Sequence, residues 1–543
     1  MPHLNLWLSK LLILAILPAF GQGLSIRQAP LRFDETNELQ RDSLPLTLVN
    51  EASEAVKIKE IRFYQTYGQA AFYSSLDTTT LAPGDSIEAW VYFAPRHNVY
   101  HNSEMLLVTQ GPGGDLSIDL QGQGAFSQSY YASSQNLSEA ALKSVLKNRI
   151  SQGYQSLGYT IARNEMFLDI DNRRTNGQGA TVNTLACVYT GTLATGYATR
   201  TEAQNQGFNT EHTFPQGFFN RDEPMRSDLF HLFPTTVNSN STRASLPFGT
   251  VTNPQWQVGG SRQGNGVFEP KDDHKGAVAR AMLYFVLRYQ DYNNFLAGQE
   301  TRLREWHCDF PPDTVERRRN DAIADLQNNR NPFIDYPQFL DRIQSVSGAS
   351  VGPEDKLIDL GQGAVNFGQV FIGEEVTHRW IVINTGNVEL NISGMSLDNP
   401  QVRFSGISGA DTTLTPGEAL TIGLVYRPTE DGSFSAQLNL DTDAQNTSSP
   451  TLQVPLLANA ITDIPDFEGS PWRLLSNPSR GKLLLKTGQA KAFEGKLVDL
   501  QGRRLASHRA ANAVQVDWAL PQLSSGTYYL LIEGQTPIKV ILR

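Results

Sequence analysis

The stretch NTEHTFPQGFF, residues 209–219, sets a carboxylate beside an imidazole, Glu211 and His212, and a second imidazole, His231, follows in SDLFHLFPTTVN. A neutral imidazole can take a proton from water near neutral pH. A carboxylate and a second imidazole can together hold one divalent cation, which polarises a phosphoryl oxygen and stabilises a departing oxyanion. Adjacent side chains of an extended segment point to opposite sides. Glu211 and His212 would therefore divide the work, one holding an ion while the other faces the nucleophile. His231, on a turn after RSDL, would close the ion site from across a hairpin. Arg243 and Asn238 add a guanidinium fork and an amide suited to phosphate oxygens. A Glu-His pair with a distant histidine is also common on ordinary polar surfaces, so these residue types alone leave both readings open.

The elements that must hold such a site differ from their surroundings. SEAALKSVLKNRI and KGAVARAMLYFVLRYQDY carry apolar residues at helical spacing, and Val278, Met282, Phe285 and Tyr289 fall on one face of the second. ERRRNDAIADLQNNRNPF predicts a helix that stops before Pro332. The middle of the chain is thus helix-dominated with long connections, a setting in which ordered loops carry function. On either side lies a repeat. LAPGDSIEAWVYFAP (residues 81–95) and LTPGEALTIGLVYRP (residues 414–428) align without a gap. Each is a Pro-Gly turn and an alternating strand among further short β runs, the pattern of a β-sandwich. The two copies predict two separate sandwiches flanking the middle domain. From about Trp472 the chain is strand-like again and short enough for one small β module.

The chain has 543 residues, which at ~150 residues per domain means three to four units. Its formal charge is −10, but residues 126–345 hold 22 Lys plus Arg against 22 Asp plus Glu, so the acid excess lies outside the middle domain. A neutral domain predicts salt-sensitive, sequence-independent contact with a polyanion through phosphates. The arginine run at 317–319 reads as a solvated helix face that is able to touch a nucleic-acid backbone. MPHLNLWLSKLLILAILPAFGQG has a lysine, a short apolar run and small residues, the pattern of a cleaved signal peptide, and no window reaches membrane-span length. Two cysteines, Cys187 and Cys308, make no disulfide framework, and their pairing is left open. GQGAVNFG is spaced wrongly for a dinucleotide loop. GGSRQGNG reads as a flexible loop, and LDTDAQN lacks a full Ca²⁺ ligand set.

Taken in order, NTEHTFPQGFF, MRSDLFHLFPTTVNSNSTRASLPFG and FEPKDDHKGAVARAMLYFVLRY resemble the bacterial endonuclease I family of secreted nucleases, within the His-Me finger (ββα-metal) class. The resemblance covers most of residues 128–345. It implies His212 as the base that activates water, Glu211 and His231 as ligands of one Mg²⁺-like ion (Ca²⁺ and Mn²⁺ being alternatives), and Arg243 at phosphate. It assigns Glu269, Lys275 and Arg280 supporting roles. Phe230-His231 stands where many relatives carry two histidines, and Arg243-Ala244-Ser245 replaces Arg-Ser-Asn. The sandwiches resemble Ig-like, Hydin/ASPM-type domains, and the last module resembles a type IX secretion sorting domain. The expected organisation is a signal peptide (1–22), an Ig-like sandwich (23–126), an α+β nuclease domain (127–350), a second sandwich (351–463) and a sorting domain (464–543). The implied molecule is a monomer without a transmembrane segment, released or attached to the outer surface by the type IX machinery. It would hydrolyse DNA, and RNA as a second substrate, to 5′-phosphate products. Competing readings are an adhesion or matrix-binding protein with a vestigial nuclease domain, and a phosphodiesterase of lipids or small esters.

Overall fold

The computed structural model describes residues 23–64, 70–406, 411–461, 472–475, 481–499, 502–524, 526–533, 535 and 537–542. The signal segment expected at 1–22 lies outside these residues, as does the stretch 462–471 at the expected start of the last module. Four large apolar clusters organise what is described, centred within residues 24–120, 131–346, 358–456 and 472–542.

In the first sandwich, strand Ser86–Phe93 buries Ala89, Val91 and Phe93 on one face, and Leu116–Ala125 alternates buried and part-exposed residues along its whole length. That period-2 pattern packs two sheets face to face. In the second sandwich Val376–Asn384 and Ala419–Tyr426 pair antiparallel but bury consecutive residues, 380–384 and 422–426. Both Pro-Gly turns place the glycine at positive φ, +80° at Gly84 and +79° at Gly417, as such turns require.

The two sandwiches keep separate cores, as the repeat spacing predicts, and they also touch. Leu106 and Val108 of strand Tyr100–Gln110 bury against Ile381 and Ile383 of strand Val376–Asn384. Gly113–Gly114 of the first sandwich pairs in parallel with His378 and Arg379 of the second. Tyr64 donates to Asp359 at 2.6 Å, and Arg379 Nε donates to the Gly113 carbonyl at 2.8 Å. This side-by-side contact explains why both strands run apolar on consecutive residues: each face is covered.

The middle domain is built around helix Asp272–Arg288, whose residues are almost all buried. Val278, Met282 and Phe285 are fully inside, as their spacing predicts, but the opposite face is buried too, so this is a central rather than a surface helix. The expected flanking helices appear as Glu139–Ser151 and Thr314–Gln327, the latter closed by Asn328 in the left-handed region. Against this core lies a short antiparallel hairpin, Phe208–His212 with Leu232–Thr236, followed at once by helix Val237–Arg243. The presumed flexible loop GGSRQGNG instead belongs to a three-stranded sheet, Trp256–Val258, Ser261–Gly264 and Val267–Glu269.

Candidate active site

The hairpin places Glu211 opposite Phe233 and His212 opposite Leu232. The strand alternation therefore sends the two side chains into different surroundings, as the sequence reading held. Glu211 is almost wholly buried. Tyr189 Oη donates to its Oε1 at 2.8 Å. Arg243 Nε lies 3.4 Å from the same oxygen, close enough for attraction yet not aligned as a hydrogen bond. Burial raises the Glu211 pKa, and Arg243 and Tyr189 only partly oppose the shift. The carboxylate is thus short of positive charge.

His212 lies across the strand, 5% exposed. Its Nε2 is 3.2 Å from the Arg226 carbonyl. A carbonyl only accepts, so Nε2 carries the proton and Nδ1 keeps the lone pair. Burial drives the His212 pKa well below the ordinary value, aided by the nearby charges of His231, Arg226 and Arg163. The ring is therefore neutral at neutral pH and ready to accept a proton.

His231 lies 5.5 Å, ring centre to ring centre, from His212. It is fully buried, its Nε2 is 2.6 Å from the Met225 carbonyl, and its ring packs on Phe219 and Phe285. The turn carrying it is fixed by Asp228, which accepts from Arg288 at 2.5 Å, Tyr289 at 2.9 Å, Tyr284 at 3.0 Å and Gln327 at 3.0 Å. Burial alone would raise the Asp228 pKa, but Arg288, His231 and the hydrogen bonds lower it overall.

Two side chains stand in settings that the expected roles did not describe. Arg243 does not face phosphate: it is 1% exposed, donates to the Thr213 carbonyl at 2.7 Å, the Ala244 carbonyl at 3.1 Å and the His212 carbonyl at 3.4 Å, and stacks over Phe248. It clamps the backbone that carries His212. His231 donates Nε2 to Met225, keeps Nδ1 without a hydrogen-bond partner, and lies near His212, Asp228 and aromatic rings. No group of three or more His, Cys, Asp or Glu among the described residues is arranged to hold a metal ion. Glu211 suits a cation, being a buried carboxylate that Arg243 compensates only in part, with both of its contacts on Oε1. His231 also keeps an unpartnered Nδ1 that is free to ligate.

Glu269, Lys275 and Arg280 form ion pairs, Lys275 with Glu269 at 2.8 Å and Arg280 with Glu316 at 2.6 Å, which fits the supporting roles expected. Of the arginine run, Arg319 is no solvated residue: it pairs with Asp171 and donates to the Leu232 carbonyl at 2.6 Å, anchoring the hairpin's second strand. Both cysteines are free thiols, Cys187 buried and Cys308 exposed. The sequence reading missed Tyr159, Arg163 and Arg226, which border His212. It also missed Asn240, whose Nδ2 donates to the Thr210 carbonyl at 3.0 Å. Only Asn240 carried a signal, its place one helical turn before Arg243.

This geometry has counterparts. The family model described as Endonuclease I matches residues 138–338, and one described as a HYDIN/CFA65/VesB-like, Ig-like domain matches residues 357–455. An extracellular ribonuclease of Bacillus amyloliquefaciens is 30% identical over 241 residues, which is 40% of this chain and 79% of that protein. A counterpart in Bacillus subtilis is 29% identical over the same shares. An extracellular deoxyribonuclease of Aeromonas hydrophila is 36% identical over 123 residues, 22% of this chain and 51% of that one. The molecule is thus a multidomain protein with a nuclease-type middle domain and Ig-like sandwiches. It belongs to the Endonuclease I family.

Proposed function

We propose that the chain is an exported endonuclease that hydrolyses phosphodiester bonds of DNA and RNA with little sequence preference, on a His-Me finger site. The observation that carries this reading is His212, a neutral imidazole at the end of a hairpin whose proton sits on Nε2. Its Nδ1 takes a proton from water as the water oxygen bonds phosphorus. The P–O3′ bond breaks, leaving a 5′-phosphate and a 3′ oxygen that collects a proton from solvent. Arg243 keeps the His212 backbone in place, and the His231 ring supports the His212 ring from behind.

The reading implies a divalent cation, Mg²⁺ or another such as Ca²⁺ or Mn²⁺. Glu211 would hold it, with the unpartnered Nδ1 of His231 as the second ligand. Such an ion polarises the phosphoryl oxygen and stabilises the departing oxygen. The substrate class follows the activities named for the relatives, ribonuclease in one case and deoxyribonuclease in another. Export, by the N-terminal signal and the C-terminal module acting as a type IX sorting signal, and a monomeric state complete the proposal. Incubating the purified protein with plasmid and RNA in Mg²⁺ tests it. Degradation by the native chain and its loss in His212→Ala are expected, whereas intact polymer in both overturns the reading.

A further inference from the structure

Three guanidinium groups gather on the open side of the hairpin. Arg163 Nε donates to Thr210 Oγ1 at 3.2 Å, one strand step from His212 on the same face. Its guanidinium lies 4.9 Å from the centre of the Tyr159 ring, and that of Arg226 lies 4.1 Å from the same ring. Arg200 Nη1 donates to the Thr160 carbonyl at 2.9 Å, next to Tyr159. The Tyr159 ring in turn stands 5.6 Å from that of His212.

Among the described residues none of the three arginines makes an ion pair. The Nε–H groups of Arg200 and Arg226 are buried without a hydrogen-bond acceptor. Burial lowers the Arg163 pKa; Tyr159 opposes this and the charges of Arg200 and Arg226 reinforce it. Like charges collected without a counter-ion, in partly buried positions, destabilise the free protein. Arginine's planar fork matches phosphate oxygens, and an arriving polyanion would relieve both the repulsion and the orphaned donors.

We infer that Arg163, Arg200 and Arg226, mounted around the Tyr159 ring, form a phosphate-binding cluster that seats a polynucleotide backbone with one phosphodiester beside His212 Nδ1. The inference rests on the nuclease reading for the identity of its ligand. The three residues come from 163, 200 and 226 in the sequence and meet only through the fold. They supply the phosphate contacts that Arg243, turned inward, does not make.

Each phosphate contact adds about 0.9 to the slope of log affinity against log salt for duplex DNA, so losing one arginine should lower that slope by about 1. The test is fluorescence anisotropy of a labelled DNA duplex titrated with the full-length protein in EDTA across a KCl series. The full-length His212→Ala protein is the common background, so cleavage plays no part. Arg163→Gln and Arg226→Gln should each weaken binding and lower the slope by about 1, and the double variant by about 2. Tyr159→Leu should weaken binding while leaving the slope in place, because it removes the mount and no charge. Arg403→Gln, on the second sandwich, should change nothing. Wild-type affinity and slope in the arginine variants, at unchanged urea midpoints, would overturn the cluster while leaving the nuclease reading intact. A native chain that binds with these slopes yet leaves DNA and RNA uncut would sink the nuclease reading and spare the cluster.

Discussion

The two sides of one five-residue strand, Phe208–His212, are built on opposite terms. On the Glu211 side the guanidinium is consumed by the protein: Arg243 is 1% exposed and spends its donors on three carbonyls. On the His212 side, Arg163, Arg200 and Arg226 gather without an ion pair among the described residues, Arg200 and Arg226 keep Nε donors without acceptors, and the imidazole keeps a lone pair. The same residue type is structural where it is buried against carbonyls and a carboxylate, and is set for a ligand where several gather without an ion pair. That contrast is a better guide to function than the number of arginines, since the domain as a whole is neutral.

Four perturbations probe it, the largest first. The closed interior depends on histidines that are neutral when folded. Burial, the largest cause in each case, lowers His97 and His274 to about 3 and His101, His307 and His378 to about 4, and lowers His212 and His231 as well. Unfolded, each titrates near 6.5, so below that pH the unfolded chain binds more protons than the folded one. Stability is then full above pH 6.5 and is lost as pH falls towards 4 and 3, by up to about 1.4 kcal/mol per pH unit per histidine. Urea midpoints at pH 7.5, 6 and 5 should fall in that order; a flat series would show that these rings are not buried neutral.

Next, Asp228→Ala leaves Arg288 buried without its carboxylate and should cost about 3–5 kcal/mol, read from denaturant unfolding of the middle domain. Arg243→Met keeps bulk over Phe248 but frees three carbonyls. It should cost about 2–3 kcal/mol and slow cleavage without altering the salt slope of DNA binding; an altered slope would return Arg243 to the phosphate. A smaller stability effect is expected for Glu211→Gln, about 1–2 kcal/mol, because an amide still accepts from Tyr189 while buried Arg243, 3.4 Å away, loses its carboxylate partner. Cleavage in Mg²⁺ should nevertheless collapse. A large loss of stability with cleavage retained would make Glu211 a structural residue.

Local rules gave what local rules contain. The alternation in the first Leu-x-Pro-Gly repeat, the apolar face of helix Asp272–Arg288 and the split between Glu211 and His212 all follow from periodicity, and the structure shows each, whereas the second repeat's strand buries consecutive residues. What depended on distant packing could not be read. That Arg243 turns inward is decided by the carbonyls of His212 and Thr213 thirty residues away. That His231 is held by Met225 depends on a turn pinned by Asp228 and Arg288, sixty residues apart. Tyr159, Arg163 and Arg200 carry no motif. The sandwich contact through Leu106, Val108, Ile381 and Ile383 joins segments some 270 residues apart, and showed in the sequence only as strands too apolar for one covered face.

The most direct test of the account is chemical rescue at His212. His212→Ala should cut plasmid about 10²- to 10⁴-fold more slowly than the native chain in Mg²⁺, the range a positioned general base contributes. Added imidazole should restore part of that rate while the salt slope of DNA binding stays unchanged. Cleavage by His212→Ala at the native rate would contradict the assignment of the base, and with it the reading of the open face as the site of chemistry.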